Sequence, residues 1–366
     1  MSDAKRSPLL SWTVIAPVAG IIVLALAWGR HLGAVPLVIA AVFLIATVLA
    51  AVHHAEVVAH RVGEPYGSLV LAVSVTVIEV ALILTVMSSG GHSADTLARD
   101  TVFAAVMITT NGIIGIALLV GALKFGLTHF NPEGSGAALA TVATLATLGL
   151  VLPTFTTSES GPEYTTAQLV FAAMASLVLY VLFVFTQTRR HRDFFLPVTE
   201  EGHQITEDDH AAPPSGKRAL LSAAMLLGSL VGVVGLAHIE DPAIKAGVEA
   251  AGFPASTVGV AIALLVLLPE SIAAVRAASR RRIQTSINLG YGSAMASIGL
   301  TIPAIAIASF FMDGPLVLGL GSTQIVLLGL TVLVSVLTVV PGRATRLQGG
   351  VHLVLLAAYL FLAVNP

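Results

Sequence analysis

Read along its length, the chain alternates between long runs of apolar residues and short polar breaks. Each run is close to the roughly 20 residues that a helix needs to cross about 30 Å of hydrocarbon. Eleven such runs occur, near residues 10–28, 34–52, 67–88, 101–123, 137–153, 165–187, 219–238, 255–276, 286–311, 322–340 and 348–364. The predicted elements are eleven transmembrane helices, and the predicted fold class is all-α, a polytopic membrane protein.

Composition agrees. Of 366 residues, 56% are hydrophobic and 10% charged, and the mean hydropathy is +0.93, more apolar surface than a soluble core can hide. The partner this implies is the lipid bilayer, not nucleic acid. Cysteine is absent, which excludes disulfides, thiolate metal sites and cysteine nucleophiles.

Charge tests the number of spans, because Lys and Arg gather in short cytoplasmic loops. With the N-terminus inside, the inner segments hold Lys5, Arg6, Arg61, Lys124, Arg189, Arg190, Arg192, Lys217, Arg218, Arg276, Arg280, Arg281, Arg282, Arg343 and Arg346, and the outer ones only Arg30, Arg99 and Lys245. A wrong span count would scramble this bias, so the N-terminus is expected in the cytoplasm and the C-terminus on the outer side. Lys5 and Arg6 ahead of the first run also fit a signal peptide. The length of that run and the lack of a small-x-small cleavage site favour its retention.

The longest polar segment, TRRHRDFFLPVTEEGHQITEDDHAAPPSGKR, divides the chain. It lacks the Asp-x-Asp-x-Asp-Gly spacing of an EF-hand and reads as a solvated, acidic cytoplasmic linker. The expected organisation is an N-terminal helix outside any repeat (1–33), a first five-helix repeat (34–187), the linker (188–218) and a second five-helix repeat (219–366). Five is odd, so equivalent helices run in opposite directions, the inverted-repeat plan of many secondary transporters.

Among the 20 acidic residues, only Glu79, in LVLAVSVTVIEVALILTVM, and Glu270, in LLVLLPESIAAVRAA, lie deep within predicted spans. Each falls in the second span of its repeat. A charge at the bilayer centre costs about 2.5 to 3.5 kcal/mol on insertion scales, so it must face the protein interior or a wet cavity. Neutral glutamates that merely tie helices together would have no reason for matching positions, whereas ligands or proton carriers would.

The neighbours supply cation chemistry. Pro269 removes a backbone donor just before Glu270, a helix break that frees a carbonyl about one turn earlier. Thr76 precedes Glu79 by one turn and can share its face. The following span of each half carries VMITTNGIIGI, with Thr109, Thr110 and Asn111, or NLGYGSAMASIGLTIP, with Asn288, Ser293 and Ser297. Any single hydroxyl here is more often helix packing than a ligand; their coincidence beside the Glu-bearing spans argues for ligands. His238 and His352, near span ends, read as interfacial packing or hydrogen-bonding residues rather than proton relays. His53, His54, Glu56, His60 and Glu64 read as a solvated inner loop, with an acid-sensing entry patch as the lesser reading. RAASRRR reads as the positive-inside anchor.

The segments GEPYGSLVLAVSVTVIEVALIL with RDTVFAAVMITTNGIIG, and LLPESIAAVRAASRRRIQTSINLGYGSAMASIGLTIP, resemble the two alpha repeats of the cation/calcium exchanger superfamily, and within it the bacterial ChaA-type, CAX-like calcium/proton antiporters. The resemblance covers nearly the whole chain. It implies that Glu79 and Glu270 are the central cation and proton ligands, with Ser293 and Ser297 matching the polar pair of the second repeat and Asn111 the corresponding position of the first. Two departures stand out: Met107 replaces a common hydroxyl, and neither glutamate lies in a Gly-Asn-x-x-Glu pattern. The implied function is Ca²⁺/H⁺ antiport in a bacterial inner membrane, with the C-terminus periplasmic and no cofactor beyond the transported ions.

Two carboxylates are neutralised by one Ca²⁺ or by two protons, and the empty −2 site is costly to move through an occluded state. The same arithmetic admits Na⁺ or K⁺, which keeps a Na⁺(K⁺)/H⁺ antiporter as the alternative. A cation channel would use carboxylates too. An enzyme would need a second constellation that the chain does not show, so no enzymatic activity is expected. Homo-oligomerisation is left open by the chain alone.

Overall fold

The computed structural model describes residues 11–30, 32–63, 66–88, 94–198, 214–312 and 314–366, and helices dominate them. In chain order these are α1 (Trp12–Ala27), α2 (Ala34–Val62), α3 (Tyr66–Ser88), α4 (Ala94–Met107), a π-helical turn (Ile108–Ile113), α5 (Ile114–Phe125), α6 (Pro132–Ala146), α7 (Thr166–Phe185), α8 (Gly216–Ala250), α9 (Ser256–Ala278), α10 (Ile283–Ser309), α11 (Ser322–Val339) and α12 (Arg346–Val364). Among the described residues, nine helical stretches are long and apolar enough to cross a membrane, with α4, the π turn and α5 forming one of them. Two shorter apolar helices, Trp12–Ala27 and Val73–Ser88, occupy the first and third predicted spans. The protein is an all-α polytopic membrane protein.

The main departures from the sequence reading are helix ends. Hydropathy places the end of the second span at residue 52, yet α2 continues to Val62 and stops at Gly63, whose φ of 76° suits a residue without Cβ. His53, His54 and Glu56 are therefore helical, not loop, and Glu64 lies outside the described residues. Likewise α8 runs through Pro242 to Ala250, well past the expected end at 238. Polar residues end a hydropathy run, but they do not end a helix while their propensity remains adequate.

The chain divides into two compact units, residues 1–89 with 210–251 and residues 90–209 with 252–366. Each draws helices from both halves of the sequence. In the first unit α1, α2 and α8 pack mutually, and α3 packs on α2 and α8. Small residues permit this: a Cβ on Gly20 would lie 2.5 Å from Thr47 Oγ1, and one on Gly235 would lie 2.4 Å from Leu24. His54 Nε2 donates to the Thr13 carbonyl at 2.8 Å, and Lys245 pairs with Asp241 at 3.1 Å.

In the second unit the rod of α4, the π turn and α5 is the buried centre, with α9, α10 and α12 packed around it. A short ladder pairs Thr128–His129 with Arg343–Ala344. Asn131 caps α6 through the Glu133 and Gly134 amides, with Pro132 opening the helix. Part of the expected linker is docked: Phe195 is buried, and its carbonyl accepts from Asn288 Nδ2 at 2.7 Å. Residues 199–213, the acidic centre of that linker, lie outside the described residues.

Candidate functional site

In the first unit Glu79 sits just past the midpoint of α3 and is 2% exposed; Thr76, one turn earlier, is also buried. In the second unit Glu270 occupies almost the same place in α9 and is 8% exposed. Both carboxylates are thus withdrawn from solvent. The helix runs unbroken through Pro269, so the expected break is a missing donor, not an interruption. Proline lacks the N–H that would serve the Leu265 carbonyl, and the Ser271 hydroxyl donates to Leu267 O at 2.8 Å one turn along.

Next to α9 and α10 lies the π turn, every residue of which is buried. Its widened bonding pattern displaces the amide partners of the preceding carbonyls. Threonine hydroxyls serve those carbonyls: Thr109 donates to Ala105 O at 2.7 Å and Val106 O at 3.0 Å, and Thr110 donates to Val106 O at 2.5 Å. The hydrogens of both hydroxyls are therefore spent on backbone, and the oxygens keep their lone pairs. Asn111 is occupied on both sides of its amide, donating from Nδ2 to Thr331 Oγ1 at 2.9 Å and accepting at Oδ1 from His352 Nδ1 at 3.0 Å.

His352 is fully buried on α12, not interfacial as its place near the span end suggested, and its Nε2 lies 3.1 Å from Thr338 Oγ1. Thr331 in turn donates to Met107 Sδ at 3.6 Å. Met107, where the resemblance anticipates an oxygen, is the weak terminal acceptor of this chain. No periodicity or motif in the sequence links positions 111 and 352; only the fold does.

On α10, Ser297 is buried and Ser293, one turn away on the same face, is partly exposed. Gly290 lets the π turn approach: an added Cβ would stand 2.7 Å from Ile114 Cγ1 and 3.3 Å from the Thr109 carbonyl. Asn288 donates to the Phe195 carbonyl at 2.7 Å and accepts from Gln284 at 2.9 Å.

Among the described residues three further acids are buried, Asp100, Glu240 and Asp241. The hydropathy reading set them just outside spans four and seven, whereas the longer α4 and α8 incorporate them. Asp100 pairs with Arg99 at 2.8 Å and accepts from Thr96 at 3.0 Å, and Asp241 pairs with Lys245. Among the described residues no group of three or more His, Asp or Glu side chains is arranged to hold a metal ion.

An all-helical membrane protein with a buried carboxylate in the middle of an apolar helix in each unit has the build of an ion transporter. The chain belongs to the sodium/calcium exchanger protein family, whose profile matches residues 32–189 and 221–365. It is similar to protein y4hA of Sinorhizobium fredii, 43% identical over 98% of this chain and 97% of the relative. It is also similar to the sodium-potassium/proton antiporter ChaA of Escherichia coli, 33% identical over 98% of this chain and 97% of that one. Among solved structures, native YfkE shares the fold, with a TM-score of 0.71 at 16% identity, covering 97% of this chain and 100% of that chain. The protein is a multi-pass membrane transporter of the cation exchanger family.

Proposed function

We propose that the protein exchanges Ca²⁺ for H⁺ by alternating access, with Glu79 and Glu270 binding cation and protons in competition. The observation that carries this reading is the matched burial of two carboxylates at the same point of two apolar helices. Ca²⁺ takes six to eight oxygens. Two carboxylates supply up to four of them and the charge, and Thr76, Ser293, Ser297, backbone carbonyls and water supply the rest. The five-plus-five inverted repeat gives the two glutamates equivalent roles, one per half. Vesicles containing purified protein, given a pH gradient and each cation in turn, test this directly: Ca²⁺ should dissipate the gradient, and Ca²⁺ flux without a proton countercurrent would indicate a channel.

A second reading, Na⁺(K⁺)/H⁺ antiport, is favoured by a specific observation. Met107 stands where the resemblance anticipates an oxygen, and the Asn111 amide oxygen already accepts from His352, which leaves fewer neutral oxygens than a Ca²⁺ site prefers. The ChaA relative carries the name sodium-potassium/proton antiporter, whereas a 23% identical relative from Aphanothece halophytica is named a Ca²⁺/H⁺ antiporter. In the vesicle assay this reading predicts a response to Na⁺ and K⁺ that exceeds the response to Ca²⁺.

Two smaller predictions follow from the same reading. Thr76→Val or Ser293→Ala removes one neutral oxygen and should weaken apparent cation affinity by about 1 to 3 kcal/mol, the scale of a lost buried polar contact, with maximal rate nearly kept. For topology, a reporter fused after Pro366 should be periplasmic and one inserted at 200–210 cytoplasmic, as the distribution of Lys and Arg requires. Both reporters on one side would overturn the eleven-span arrangement.

A further inference from the structure

We infer that His352 is a positioning residue for cation binding, holding Asn111 and with it the π turn that packs on the helix of Glu270. This rests on the reading above that Glu270 binds the transported cation.

Donor and acceptor roles in the chain of side chains follow from the orientation of the Asn111 amide. With Nδ2 turned to Thr331 Oγ1, the amide oxygen is the atom at His352 Nδ1. That oxygen can only accept, so Nδ1 carries a hydrogen. In the neutral imidazole Nε2 is then the acceptor, and Thr338 donates to it. Thr331 has received from Asn111 and passes its own hydrogen to Met107 Sδ. The order runs from Thr338 through His352, Asn111 and Thr331 to Met107, whose sulfur also receives Asn111 Nδ2 at 3.9 Å.

This order argues against a proton relay. A proton arriving at Nε2 could leave from Nδ1 only to an amide oxygen, and an amide does not hand a proton onward at ordinary cost. What the chain does is immobilise Asn111 from two helices, α11 and α12. The approach that makes it possible is built into the backbone: Gly115 on α5 faces His352, with an added Cβ only 2.9 Å from His352 Cβ, and Gly349 on α12 lies against Leu119 N, where a Cβ would stand at 2.6 Å. Two glycines on facing helices bring the imidazole to the π turn. With Asn111 pinned, the extra residue of that turn stays at Ile108–Ile113; released, the turn is free to slip by one residue and rotate the buried rod beside α9 and α10.

The test is a double-mutant cycle on cation-dependent proton exchange in vesicles, with Ca²⁺, Na⁺ and K⁺ each offered. His352→Ala and Asn111→Ala are each expected to raise the half-saturating cation concentration about tenfold, as for loss of one buried hydrogen-bonded group, with the maximal rate and its pH profile little changed. The double variant should be no worse than either single one, because both remove the same restraint. His352→Asn, which retains a donor near the Nδ1 position, should recover part of the affinity. Thr331→Val probes the far end of the chain without touching the histidine and should weaken affinity in the same direction.

Additive effects of His352→Ala and Asn111→Ala, an unchanged half-saturation in His352→Ala or Thr331→Val, or a shifted pH profile with altered proton coupling would each overturn the assignment. Nitrogen NMR of the imidazole, identified by its disappearance in His352→Asn, gives a reading independent of transport: hydrogen on Nδ1 and a lone pair on Nε2 are expected, and the opposite tautomer refutes the chain. Glu270→Gln in the same assay separates the two levels. If it retains full exchange, the cation-site reading fails; if it abolishes exchange while the His352 variants are silent, only the positioning role fails.

Discussion

Glu270→Gln and Glu79→Gln are each expected to give a folded, membrane-inserted protein in which proton-coupled Ca²⁺ exchange falls to background. Glutamine keeps nearly the volume of glutamate and retains polar atoms for the neighbours, so packing around these buried positions is largely preserved. The charge balance is not. With one carboxylate left, the loaded site would hold a net +1 in a region withdrawn from water, at a cost of several kcal/mol, or more than about a hundredfold in the population of the loaded occluded state. A monovalent ion meets no such obstacle: one Na⁺ or one H⁺ neutralises the remaining carboxylate. Residual one-for-one Na⁺/H⁺ exchange with Ca²⁺ exchange abolished would therefore identify charge compensation as the controlling term. Proton flux in vesicles, normalised to folded protein, measures both. Undiminished Ca²⁺ exchange by either variant would assign that carboxylate a structural role and sink the proposed mechanism.

The burial of these two glutamates was legible in the sequence because an ionisable group inside an apolar run is costly where it faces lipid. The helices were legible for a similar reason, since lipid imposes one length scale on every span. Helix ends were not, because α2 and α8 leave the hydropathy window before they leave the helical conformation. That single error placed His54, Glu240 and Asp241 in loops, when His54 is bonded to Thr13 and Asp241 to Lys245 on packed helices. Thr109 and Thr110 stand in a π turn and give their hydroxyl hydrogens to backbone carbonyls, and that turn has no sequence signature comparable to a cap or a glycine turn. Asn111 stands out in the sequence as a polar residue within a span, but its partners Thr331 and His352 lie 220 and 241 residues away, and only packing brings them together. The resemblance to exchangers supplied roles for Glu79, Glu270, Ser293 and Ser297, and was silent about His352.

Packing also yields the second large expected effect, at Gly259 near the start of α9. An added Cβ there would meet the Thr101 backbone nitrogen at 2.8 Å, the Asp100 carbonyl carbon at 2.9 Å and Asp100 Cβ at 3.1 Å. Two of these atoms are backbone of α4, so relief requires moving one helix away from the other. Helix propensity pulls the opposite way, since replacing glycine by alanine inside a helix gains about 1 kcal/mol. Overpacking costs typically 1 to 3 kcal/mol, and at contacts below 3.0 Å with rigid partners it should win. Gly259→Ala is thus expected to be destabilising despite its better propensity, and Gly259→Val more so, because its branched methyls extend the collision and open the α4–α9 contact on the helix that carries Glu270. Gly247 in α8 is the matched control, with nothing within 4 Å of an added Cβ, and Gly247→Ala should raise stability slightly. Thermal unfolding of the three purified variants in one detergent gives the comparison. Gly259→Val unfolding at the wild-type temperature would mean that α4 and α9 do not meet at this glycine, and that the packing that buries Asp100 and sets the height of Glu270 is held elsewhere.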